Sequence, residues 1–153
     1  MISVEDYLYF VDEAIDGMVA IVTELGDERA NRKLDVSGAN SPYAVLTHCL
    51  GVMEYWAGHV VAGRRIERDR DAEFRAAGSV AELVDRVGRA RLQIRSDIAD
   101  LAPYEAPRGR PPVEDSDLPL ARTQGGALIH VYEELAQHRG QMEVCRDLLL
   151  AGR

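Results

Sequence analysis

Apolar residues return every three or four positions in four separate stretches of this chain, and each stretch opens on a helix-start signal. The first begins at Ser3, with Asp6 three residues on as a capping box, and runs to about Gly26; Val4, Tyr7, Val11, Ala14, Met18, Ile21 and Leu25 share one face. The second begins at Ser41-Pro42, a cap followed by proline at the first helical position, and runs to about Gly63. The third begins at Ser79, with Glu82 as capping-box partner, and carries Val80, Val84, Val87, Ile94, Ile98 and Leu101. The fourth begins near Thr123 and ends at Gly152, with Leu128, Val131, Leu135, His138, Met142, Cys145 and Leu149 in one row. No strand-like alternation of useful length interrupts them. Helices with one apolar face must bury it on one another, so the expected fold is all-α: a four-helix bundle in one domain over residues 1–153. The links Gly26–Asn40 and Ala102–Arg122 are long enough for crossover connections, and Arg64–Gly78 is highly charged. The proline-rich stretch Pro103–Pro119 reads first as a connector, with a cover over a site mouth as the alternative.

Charge narrows the partners. With 26 acidic and 18 basic residues the net charge is −8, which repels nucleic-acid phosphates and anionic lipid. No apolar run approaches the roughly 20 residues needed to cross a bilayer, and the acidic start Met1–Asp6 lacks the basic opening of a secretory signal. A cytoplasmic protein is expected. Cys49 and Cys145 are isolated within helical apolar patterns and read as buried, reduced thiols.

The chemistry concentrates in the fourth helix, where His130, Glu134 and His138 follow one another at intervals of four. Four residues advance an α-helix by about 400°, so successive members lie one turn apart on one side. On the second helix His48 falls in the inward row Val45, His48, Val52, Trp56. His48, Glu134 and His138 together offer three metal donors with positions left open, the pattern of a catalytic rather than a structural site. A zinc-like ion there lowers the pKa of bound water toward ~7 and holds a bound thiol as thiolate. Taken alone the residues leave a second reading open: a satisfied core histidine beside an ordinary Glu/His surface pair. His59 lies eleven residues beyond His48, ~16 Å along the helix at 1.5 Å per residue, and reads as a non-ligand. Trp56 and Tyr55 read as packing residues, and Arg122 as a solvated loop residue. Gly51, Gly58 and Gly140 read as points of close helix approach.

The segment HVYEELAQHRGQMEVCRDLLL, His130–Leu150, resembles the last-helix pattern of the DinB-like superfamily. SPYAVLTHCLGVMEYWAGHVVAGR, Ser41–Arg64, resembles its second helix, and RDRDAEFRAAGSVAEL, Arg68–Leu83, is similar to the following segment in the mycothiol-dependent branch that includes maleylpyruvate isomerase. The likeness covers nearly the whole chain in order. It implies a four-helix bundle with crossover connections, often a homodimer, with His48, Glu134 and His138 binding a divalent metal (zinc first; nickel, iron or manganese as alternatives). It also implies a low-molecular-weight thiol such as mycothiol, bound at the metal, attacking a small electrophile in a transferase or isomerase reaction. His130, one turn before Glu134, is the expected auxiliary acid or base. The chain shows no counterpart of the extra C-terminal domain of some maleylpyruvate isomerases, so that substrate is not expected. The rival expectation is a metal-holding or stress-response bundle that acts through a partner without turnover. The sequence argues against a di-iron carboxylate site, because no Glu precedes a His by three.

Overall fold

The computed structural model describes residues 2–152, and these contain helices and turns with no strand. Five α-helices form: α1 (Val4–Ala30), α2 (Pro42–Met53), α3 (Arg70–Arg75), α4 (Val80–Asp97) and α5 (Gln124–Leu150). A π-helical segment, Glu54–Val61, continues α2 without a break. None of the described helices is long and apolar enough to cross a membrane.

Local chemistry sets the helix starts. Ser3 and Asp6 form the reciprocal capping box, Ser41 accepts from the Ala44 amide ahead of Pro42, and Thr123 accepts from the Gly126 amide. Ser79 departs from expectation: its side chain caps nothing, and the Val80 amide donates instead to Asp27 Oδ1 on α1 at 2.8 Å. A carboxylate arriving from another helix does the work assigned to the Ser79–Glu82 pair. Helix α1 also runs one turn past Gly26, whose φ of 65° kinks the backbone rather than ending it.

The long helices close a bundle in which α1 packs on α5 and α4, and α2 packs on α5 and α4. Helices α4 and α5 follow one another in the chain, yet each packs on α1 and α2, so the connection between them is a crossover. Ile15, Met18, Leu46, Met53, Leu83 and Leu135 are almost completely buried in the common core. Tyr7 ties α1 to α5 through a buried hydrogen bond from its hydroxyl to the Leu128 carbonyl, 2.9 Å. The crossover is knit down: the Arg108 and Gly109 amides both donate to the Val60 carbonyl at 3.0 Å. The buried Gln124 side chain accepts from the Ala102 amide and donates to the Ala106 carbonyl.

Helix α3 was hidden in the charged link Arg64–Gly78. It is six residues long, opens on an Asp69 cap that accepts from the Ala72 amide, and packs against α2. Its position next to α2 is what completes the site below. Of the mid-helix glycines, Gly140 faces open space, so close helix approach is not its role.

Candidate metal centre

His48, Glu134 and His138 meet where α2 faces α5. One donor atom from each lies within 4.8 Å of the others. His48 is 2% exposed, while Glu134 and His138 are half-buried, so the cluster has a dry wall on α2 and a wetter one on α5. His48 Nε2 lies 3.0 Å from Glu134 Oε2, and His138 Nε2 lies 3.5 Å from that oxygen. The two imidazoles meet edge to face, with centroids 5.0 Å apart.

Each imidazole turns its other nitrogen outward onto an acceptor. His48 Nδ1 lies 2.9 Å from Glu73 Oε2, and His138 Nδ1 lies 2.8 Å from Gln141 Oε1. Nδ1–H donation to those oxygens turns both Nε2 atoms inward, where Nε2–H bonds to Glu134 and a bound cation would take the place of that proton. Gln141 thus orients the His138 ring, a role not expected of it from sequence.

The electrostatics keep the carboxylates charged. Hydrogen bonds from His138 and then His48 hold the Glu134 carboxyl far below the ordinary carboxylate range, outweighing its burial. At Glu73 burial opposes ionisation, but the bonds from His48 and Arg68 prevail and its pKa is lowered. Burial likewise opposes charge on His48, and its bonds to Glu134 and Glu73 prevail, leaving its pKa above the ordinary 6.5. The thiols behave oppositely. Burial pushes Cys49 and Cys145 upward, so neither is poised as a thiolate.

A cavity of about 280 Å³ opens beside the cluster, with His48 and Glu134 in one wall. Trp56 and His130 form another wall, their rings edge to face at 4.8 Å. Pro112, Glu114 and Asp115, from the proline-rich stretch, also line this cavity. Trp56, read from sequence as packing, also faces this cavity. His130 stands outside the three-donor group, with Nδ1 3.2 Å from Glu133 Oε2. His59 is remote from the cluster: its nitrogens face the carbonyls of Arg64 and Arg110 at 2.7 and 3.2 Å. Another cavity, of about 300 Å³, lies beside the Arg64–Asp97 ion pair and holds no imidazole or thiol.

Sequence reasoning missed Glu73, Arg68 and Phe74. Arg68 donates twice to Glu73, at 2.8 and 2.9 Å, and Phe74 stacks on the His48 ring with centroids 4.4 Å apart. The available signal was Gly51: a Cβ there would meet Glu73 Oε1 at 2.0 Å.

An all-α bundle that gathers two imidazoles and a carboxylate from two helices beside a cavity has the form of a helical metalloprotein. The donor chemistry fits a divalent cation, since neutral Nε2 atoms and an ionised carboxylate suit zinc and its neighbours. The mycothiol-S-transferase family model matches residues 6–151, and the chain belongs to that family, within the DinB-like superfamily. No curated protein matches the chain.

Proposed function

We propose that this protein is a metal-dependent enzyme that transfers mycothiol, or a similar low-molecular-weight thiol, to a small electrophile. His48, Glu134 and His138 are assigned as the ligands of a divalent cation, zinc first. The observation that carries the reading is the convergence of two Nε2 atoms and one ionised carboxylate beside an open cavity. When bound, the cation supplies Lewis acidity, which favours the thiolate form of a thiol coordinated to it.

The chain's own residues divide the remaining work. Both resident thiols are buried and held protonated, so the reacting sulfur comes from a co-substrate. Trp56 shields one side of the cavity from water, and His130 beside it is placed to hold or pass a proton at the reacting molecule. Arg70, Glu114 and Asp115 also line the cavity, a polar lining suited to a small, hydroxylated thiol. Cytoplasmic residence and a homodimeric assembly belong to the same proposal, and light scattering after gel filtration reads the latter.

Elemental analysis of gently purified protein, followed by thiol-consumption assays against a panel of electrophiles, tests the reading. Glu134→Gln keeps the shape of the side chain and removes its charge. It is expected to abolish metal retention and turnover together while the fold persists. Full activity in Glu134→Gln, or equal turnover by metal-stripped protein, refutes the mechanism. Retained metal without any thiol-dependent turnover supports the non-catalytic alternative.

A further inference from the structure

The short helix α3 has no buried residue and little core to contribute, yet it is pressed against α2 at the one turn that carries His48. Two of its contacts fall on that histidine. Glu73 Oε2 lies 2.9 Å from Nδ1, and Phe74 stacks on the ring at an interplanar angle of 23°. Arg70 in turn lies over the Phe74 ring, 5.5 Å from its centroid. Arg68, just ahead of the helix, grips Glu73 through two nitrogens and fixes both carboxylate oxygens.

Helix α2 is shaped to receive this carboxylate. Glycine inside a helix costs roughly 0.5–1 kcal/mol relative to alanine, and Gly51 lies one turn beyond His48. Its bare Cα is the space that Glu73 fills, since a methyl group there would stand 2.0 Å from Oε1 and 2.5 Å from the carboxyl carbon.

We infer that Glu73 is a positioning residue for the metal site: held by Arg68 and admitted by Gly51, it fixes the His48 ring with Nε2 turned to the metal. The inference rests on the ligand assignment above and adds a residue outside it. A carboxylate behind a metal-bound imidazole locks its tautomer and raises its basicity, and removing such a partner typically costs about 10–100-fold in metal affinity. The three atoms nearest a Cβ on Gly51 all belong to Glu73, so the first effect of filling it falls on that carboxylate.

The test is a double-mutant cycle on the full-length protein, with Zn²⁺ and Co²⁺ affinities read by chelator competition. Glu73→Ala is expected to weaken binding about 10–100-fold and to change the visible spectrum of the Co²⁺ form. Glu73→Gln, which keeps an oxygen for the Nδ1–H, should recover part of the loss. Gly51→Ala should weaken binding severalfold in the wild-type background and add nothing to Glu73→Ala, because the carboxylate it displaces is already gone. ¹⁵N-edited spectra of the histidines should show one His48 tautomer in wild type and a mixture in Glu73→Ala; this reading needs no metal and no activity. Melting curves of each variant separate these effects from loss of fold. Wild-type affinity in Glu73→Ala, or a Gly51→Ala loss that adds in full to that of Glu73→Ala, overturns the inference while leaving the ligand set intact. A wild-type protein that binds neither ion overturns the ligand assignment itself.

Discussion

Replacing His48 by alanine is the sharpest perturbation of the site, because the structure separates what it costs the metal from what it costs the fold. The variant leaves Glu134 and His138, two donors on one turn of one helix, and deletes the only donor from α2. Loss of one of three protein donors should weaken metal binding at least tenfold, or about 1.4 kcal/mol. The fold loses two charge-assisted hydrogen bonds, to Glu73 and Glu134, and the stack on Phe74. At about 1.5–3 kcal/mol for each such bond, less the relief of no longer burying the ring, the net cost is on the order of 2–4 kcal/mol. Both carboxylates keep a partner, Arg68 for Glu73 and His138 for Glu134, which limits the damage. Chelator competition at neutral pH measures the first quantity and urea melts of stripped protein the second. His59→Ala is the control: its ring binds only backbone carbonyls, so metal affinity should stay within about twofold of wild type. Equal losses of affinity in the two variants would refute the assignment.

Other perturbations carry equally definite expectations. Protons compete with metal at the imidazoles, and His48 is raised above 6.5, so metal affinity should begin to fall on the neutral side of 6.5 as pH drops; a flat profile between mildly acidic and neutral pH refutes histidine ligation. In stripped protein the sign reverses. A raised folded pKa means the His48 contribution is complete below its unfolded value of ~6.5 and lost as pH climbs past the folded one. Glu134, lowered in the fold, contributes above its unfolded value of ~4.3 and loses that contribution as pH falls through the folded one. The gain in Tm on adding metal should therefore grow from pH 6 to pH 8, as ~RT ln(1 + [L]/Kd) requires, and a gain that shrinks would contradict the network. Leu135→Ala, at a position with no exposure, should cost about 3 kcal/mol and lower Tm by roughly 6–12 °C in a thermal melt. Tyr7→Phe should cost about 1 kcal/mol by leaving the Leu128 carbonyl without its buried donor; a neutral result would show that water replaces the phenol.

What the sequence made legible is what depends on near neighbours along the chain. The Ser3–Asp6, Ser41-Pro42 and Thr123 caps act within three residues, and the apolar rows of α1, α2 and α5 repeat with the helical period. The helical period placed His48 and His138 in inward rows and Glu134 one turn before His138, while their choice as metal ligands came from the likeness to the DinB-like pattern. Ser79 misled because the Val80 amide found a carboxylate 53 positions away. The π-helical continuation of α2 was invisible, since its backbone pairing leaves the apolar residues in a run that an α-helix would bury as well.

Glu73 shows why the rest of the site lay out of reach. In the string Arg68-Asp69-Arg70-Asp71-Ala72-Glu73 every charge looks like every other, and a six-residue helix is too short to declare a face. What sets Glu73 apart is entirely tertiary: one histidine, one arginine and one missing methyl group on α2. Of these only the glycine leaves a local trace, because it violates helix propensity where the surrounding residues favour helix. A violated local rule beside a candidate ligand marks a place where something else must fit, and here a carboxylate fits. The same logic separates Gly51 from Gly140, which breaks the same rule one turn beyond Gln137 yet meets nothing within 4 Å. Alanine at Gly140 should therefore stabilise α5 by up to about 1 kcal/mol without touching metal affinity, whereas alanine at Gly51 should lower affinity although it favours the helix. If both substitutions raised stability and left the metal site unchanged, Gly51 would be an ordinary helical glycine, and the fit of Glu73 against it would carry no function.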